Sequence, residues 1–139
     1  MAQKGVVFKT TLSSSQCAEL FKQGWQSTRG VMGRVTEAVD AVSGQGLRDF
    51  YTPTDDAFSS FERRPDHAIG VQVLSLAGGI RAGGTPIHMY IFEEGAAREV
   101  QLVSKYTITG GIGAARVVRK FLSPFQVADP GLKIVDGNV

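Results

Sequence analysis

Residues 87–122 read IHMYIFEEGAAREVQLVSKYTITGGIGAARVVRKFL, and the spacing of apolar side chains in this stretch decides the fold. In IHMYIF and again in REVQLVSKYTIT, apolar residues recur at every second position, the period of a strand with one buried face. After TGGIG the period lengthens to that of a helix, with Ala114, Val118, Phe121, Leu122 and Phe125 on one side and Arg116, Arg119, Lys120 and Ser123 on the other. Between the strands, EEGAA supplies a glycine for a tight turn. A four-residue loop at Glu94 to Ala97 would pair Ile91 with Val100 and Met89 with Leu102. Ile87, Met89, Ile91, Val100, Leu102, Tyr106 and Ile108 then share one face. His88, Tyr90, Phe92 and Val103 project from the other.

The same reasoning extends towards the N-terminus. Ile69 to Leu76 (IGVQVLSL) reads as a strand, joined to the hairpin by the glycine-rich connection 77–86, a candidate lid. Val6 to Leu12 (VVFKTTL) is strand-like and runs into serines that fit a helix start. Ser13 as N-cap with Gln16 three residues on makes a capping box, and Leu12 with Cys17 a hydrophobic staple. Cys17, Leu20, Phe21, Gly24 and Trp25 then fall on one face of a helix. Residues 27–45, broken by glycines, would carry a short helix around Val35 to Val42. Leu47 to Tyr51 would form a short strand, followed by a turn at residues 53–56 and a helical turn carrying Phe58 and Phe61. Pro124 is expected to end the last helix.

These elements predict an α+β fold: an antiparallel sheet of four to five strands with two main helices packed on one face, a two-layer sandwich. Residues 1–127 would form this single domain. Residues 128–139 would be a C-terminal tail with a short strand at 132–135. The bulk properties agree with one soluble domain. The chain has 139 residues, 42% of them apolar and 20% charged, enough for a real core. A formal charge of +2 is too small to point to a polyanion, and the single cysteine rules out a disulfide framework. The opening MAQKGVVFK lacks the apolar core of a signal peptide, and the apolar runs fall far below the roughly 20 residues a membrane helix needs. The expected setting is therefore cytoplasmic, away from the membrane.

Candidate chemistry is sparse. TGGIGAAR at 109–116 follows a strand and opens a helix, where backbone N–H groups could hold a phosphate, but Arg116 stands where a dinucleotide fingerprint needs a small residue. Arg116, Arg119 and Lys120 form a basic helix face, yet the neighbouring Phe121 and Phe125 turn inward and cannot stack bases, so nucleic acid is not the expected partner. His67 and His88, with Asp66, Glu93, Glu94 and Glu99, show no metal-ligand spacing, so no metal or other cofactor is expected. Cys17 lies on an apolar stripe and reads as a small hydrophobe. No nucleophile, base and oxyanion set can be assembled, so no catalytic residues are assigned and an enzyme is not expected.

The remaining signal is the second sheet face. His88, Tyr90, Phe92 and Val103 make it too apolar to stand exposed. It should meet a covering loop drawn from residues 27–65, another copy of the chain or a ligand, and the leading functional expectation is a non-enzymatic interaction module that uses these four residues to bind a second copy of itself or another protein. The alternative is a cup for a small apolar molecule between the sheet and the C-terminal helix. Trp25, Tyr90, Phe92 and Tyr106 would line it, with Arg98 or His88 orienting a polar group. No set of residues matches a family signature.

Overall fold

The computed structural model of the chain describes residues 4–25, 50–53, 64–74, 84–104 and 112–139. The expected helix within 27–45, the helical turn with Phe58 and Phe61, the candidate lid up to residue 83, the strand residues Tyr106 and Ile108, and Gly110 of the candidate anion loop lie outside these residues.

Five strands form one antiparallel sheet: β1 (Lys4–Thr10), β2 (His67–Leu74), β3 (Gly84–Glu94), β4 (Ala97–Ser104) and β5 (Lys133–Gly137). Their spatial order is β2-β3-β4-β1-β5. Helix α1 covers residues 14–25 and helix α2 spans Ile112–Ala128. The fold is the expected α+β arrangement with an antiparallel sheet.

The hairpin register is the one that the period-2 pattern and turn demand. Ile91 faces Val100, Met89 faces Leu102 and His88 faces Val103. Gly95 adopts φ 69° at the first central turn position, a backbone conformation that side-chain-bearing residues avoid. The same rows continue across β1, where Phe8 pairs with Val100 and Val6 with Leu102. β3 starts at Gly84, earlier than the sequence pattern suggested, and pairs along the whole of β2.

One face of the sheet carries Val6, Phe8, Val71, Ile87, Met89, Ile91, Val100 and Leu102 into a buried cluster shared with both helices. Helix α1 contributes Cys17, Leu20, Phe21 and Trp25, and α2 contributes Val118, Phe121, Leu122 and Phe125. Aromatic contacts tie the layers together: Phe8 meets Phe125 at 5.1 Å and Phe21 meets Phe121 at 4.8 Å between ring centroids. Arg116, Arg119, Lys120 and Ser123 of α2 are exposed, as their helical spacing requires.

The start of α1 is a complete capping box. The Gln16 N–H donates to Ser13 Oγ at 3.1 Å, and the Ser13 N–H donates to Gln16 Oε1 at 2.8 Å. Helix α2 departs from expectation: Pro124 does not end it, and it continues through the proline to Ala128. Burial of Phe125, one residue past the proline, holds the last turn against the sheet and offsets the hydrogen bond the proline cannot donate. Beyond α2 the chain adds β5 beside β1, and Asn138 bonds back to Gly5 through its N–H and its side-chain oxygen.

Candidate functional site

The second sheet face is closed at the positions assigned to partner binding. His88, Tyr90 and Phe92 are only 7%, 1% and 5% exposed in the single chain, and Val103 is half-buried. They are not offered as an open docking face. Part of the reason is Tyr51, which forms an antiparallel bridge with Gly70 at the outer edge of β2. Gly70 lies opposite His88, and because it has no side chain the Tyr51 ring passes over it. The Tyr51 hydroxyl lies 2.7 Å from His88 Nε2, and His88 Nδ1 lies 2.6 Å from the Tyr90 hydroxyl. In a neutral imidazole one nitrogen donates and the other accepts, so one tyrosine donates to the ring and the other accepts from it. Burial, reinforced by Tyr51, pushes the Tyr90 hydroxyl up from 10.0 to about 12, so it stays a neutral phenol.

The residues assigned to an apolar cup do not converge. Trp25 belongs to the cluster shared with the helices, whereas Tyr90 and Phe92 point to the other side of β3, and Tyr106 lies outside the described residues. Trp25 packs edge-on against Phe50 at 5.1 Å. Trp25 and the pair Tyr90 and Phe92 thus lie on opposite faces of the sheet, because alternation along β3 sends its neighbouring side chains to opposite faces.

An open cleft of about 420 Å³ lies between the first turns of α1, residues 50–52, and strands β2 and β3. Ile69, Met89 and Ile91 line it from the sheet. Phe50 and Ala18 flank it, and among the described residues Ser14, Ser15, Tyr51, Thr52, His67 and Ala68 also line it. It lies against the N-terminal helix, not the C-terminal helix anticipated from sequence.

Next to the cleft, Glu93 organises a polar cluster that joins the hairpin to the start of α1. Its Oε1 accepts from Ser14 Oγ at 2.5 Å, and its Oε2 lies 3.0 Å from Arg98 Nε. His67 Nε2 is 3.7 Å from the same carboxylate. The Glu93 N–H donates to Asp66 Oδ2 at 2.6 Å. Arg98 also donates to the backbone oxygen of Leu12 at 3.2 Å. The Ser14 hydrogen bond is the largest effect and holds the Glu93 carboxyl below the usual range; burial opposes it, and the Arg98 charge and hydrogen bond add to the lowering. Arg98 is thus engaged by Glu93 and the β1–α1 turn. Cys17, buried one turn into α1, has its thiol pushed up from 9.0 to about 11 by burial, with Arg98 acting against that and Glu93 with it.

Sequence reasoning missed Phe50, Tyr51 and Thr52 as site residues. A signal was present: adjacent aromatics in an extended segment must face opposite ways, one towards Trp25 and the other towards His88. Among the described residues no group of three or more His, Cys, Asp or Glu could hold a metal ion. No described helix is long and apolar enough to cross a membrane. No protein-family model matches the chain, and no curated protein or solved structure matches it.

Proposed function

We propose that this domain is a non-enzymatic binding module for a small, largely apolar molecule held in the cleft between α1, residues 50–52 and strands β2 and β3. The observation that carries this reading is the cleft itself. Its volume of about 420 Å³ lies within the range of small-molecule sites. Among the described residues its lining has the composition such sites share, apolar Ala18, Phe50, Ile69, Met89 and Ile91 with a few hydroxyls and an imidazole. Burial of His88, Tyr90 and Phe92 within one chain removes the motive for association through that sheet face and shifts the weight to a ligand.

The test is an amide and methyl NMR screen of apolar fragments against the intact chain. Fragments that bind should move resonances of Ala18, Ile69, Met89 and Ile91 together. A screen without such shifts, or one whose shifts gather elsewhere, overturns the reading.

A second reading, association with another copy of the chain, is favoured by one observation. Edge strand β5 is exposed throughout, including Ile134 and Val135, and Val127 at the end of α2 is 79% exposed. Against it, β5 has only five residues, carries Lys133 and Asp136, and is irregular where Val7 faces Asp136 but Phe8 faces Ile134. Short, charged, bulged edges resist strand addition. Sedimentation of the wild type at tens of micromolar separates the two: the binding-module reading expects a monomer.

A further inference from the structure

We infer that the outward face of helix α2 docks an extended acidic protein segment, one whose carboxylates are followed by an aliphatic residue. Helical spacing sets Arg116, Lys120, Ser123 and Val127 one above the other, opposite the buried Val118, Phe121 and Phe125, with Arg119 on the flank. All of these outward residues are exposed, Val127 to 79%. Charge on this face has a single sign. Residues 100–128 contain no Asp or Glu, so no carboxylate stands three or four positions from any of the cations. Asp129, the first acid beyond them, is engaged at the end of the helix: its Oδ2 accepts from the Thr10 hydroxyl at 2.6 Å and its Oδ1 from the Gly131 N–H at 3.2 Å. Arg116 and Lys120 are like charges one turn apart and repel each other, and a carboxylate seated between them relieves that repulsion.

The neighbours of the cations select the class of anion. Single-stranded nucleic acid binds basic surfaces that also offer rings for stacking, and the rings of α2, Phe121 and Phe125, are wholly buried. A lipid surface takes up the apolar stripe of a helix, and the stripe of α2 lies in the core shared with the sheet. Outward beside the cations stand a hydroxyl, Ser123, and one aliphatic side chain, Val127, a set that suits a peptide. The guanidinium forks of Arg116 and Arg119 match carboxylates with two parallel hydrogen bonds each. From Arg116 to Val127 the helix rises about 16 Å, which an extended chain covers in about five residues. The aliphatic residue of the partner therefore follows its first carboxylate at that spacing.

The experiment titrates the intact chain with the acetylated, amidated peptide EEEGSL at low ionic strength and follows the amide resonances of Arg116, Arg119, Lys120 and Val127 by NMR. These resonances should move together. The peptide QQQGSL should bind at least about tenfold more weakly, and added salt should weaken EEEGSL, because exposed charge pairs are screened. EEEGSS should bind more weakly than EEEGSL to the wild type but equally to Val127→Ser. Arg116→Gln, Arg119→Gln and Lys120→Gln combined should abolish binding in a chain that still folds, since all three positions are exposed. Failure of EEEGSL to move these resonances, equal binding of QQQGSL or of EEEGSS to the wild type, or binding indifferent to the combined substitution overturns the inference. Tighter binding of oligothymidylate, or of phosphatidylserine vesicles, at the same residues also overturns it and assigns the face to nucleic acid or to a lipid surface.

Discussion

The Tyr51 hydroxyl and Nε2 of His88 stand 2.7 Å apart, across a strand position, Gly70, that has no side chain. A Cβ there would lie 2.7 Å from the Tyr51 ring and 2.8 Å from His88 Cδ2. Gly70 therefore seats the ring that links residues 50–53 to β2 and β3. Gly70→Ala would ordinarily help a strand interior by up to about 1 kcal/mol. Here it should instead cost about 1–3 kcal/mol in urea denaturation, because the added methyl displaces Tyr51 from His88. Gly70→Ala in a Tyr51→Ala background should recover much of the loss. Equal penalties in both backgrounds would show that the Tyr51 contact is not the cause.

Gly24 sits at a close approach of the two helices. A Cβ at this position would lie 2.9 Å from Phe121 Cα and 3.0 Å from its ring. Helix propensity alone predicts that Gly24→Ala stabilises by about 1 kcal/mol. The clash is with backbone, which cannot rotate aside, so the net effect should be a loss of about 1–3 kcal/mol measured by thermal or chemical denaturation. A stabilised variant would mean that the helices can separate at no cost.

Alkaline pH should drain stability through Tyr90. Its pKa is raised from 10.0 to about 12, chiefly by burial. For a raised pKa the stabilising contribution is complete below the unfolded value, near 10, and is lost as pH climbs towards 12, because only the unfolded chain releases the proton. The loss is on the order of 2 kcal/mol. Cys17, raised from 9.0 to about 11, acts with the same sign at lower pH. Unfolding free energy followed from pH 8 to 12 should fall less steeply in Tyr90→Phe than in the wild type. Parallel curves would contradict the burial of the phenol.

At acid pH the group to watch is Glu93, whose pKa is lowered first by Ser14 and then by Arg98, against burial. A lowered pKa gives stability that is present above the unfolded carboxyl value and lost as pH falls through the folded one. Glu93→Gln removes that dependence, so the gap in stability between wild type and variant should be widest near neutral pH and narrow below pH 4. A gap constant with pH would assign the effect of Glu93→Gln to packing. Ser14→Ala should reproduce part of the change, since it removes the closest donor.

The sequence alone determined what depends on neighbours along the chain. The Ser13–Gln16 capping box forms because both partners lie within one turn. The pairing of Ile91 with Val100 follows from a two-residue period on either side of a turn that needs Gly95. The buried stripe of α2, Val118, Phe121, Leu122 and Phe125, is a 3.6-residue repeat written in order. Only tertiary structure decided the rest. Tyr51 meets His88 from 37 positions away and Ser14 meets Glu93 from 79, and neither distance leaves a trace in local periodicity. Pro124 stays helical because Phe125 is buried beyond it, a tertiary contact that outweighs the local tendency to break. The cleft beside α1 is likewise a product of tertiary structure: a concavity exists where separate segments fail to meet, and the routing of residues 50–52 along the edge of β2 leaves Ile69, Met89 and Ile91 lining an opening there.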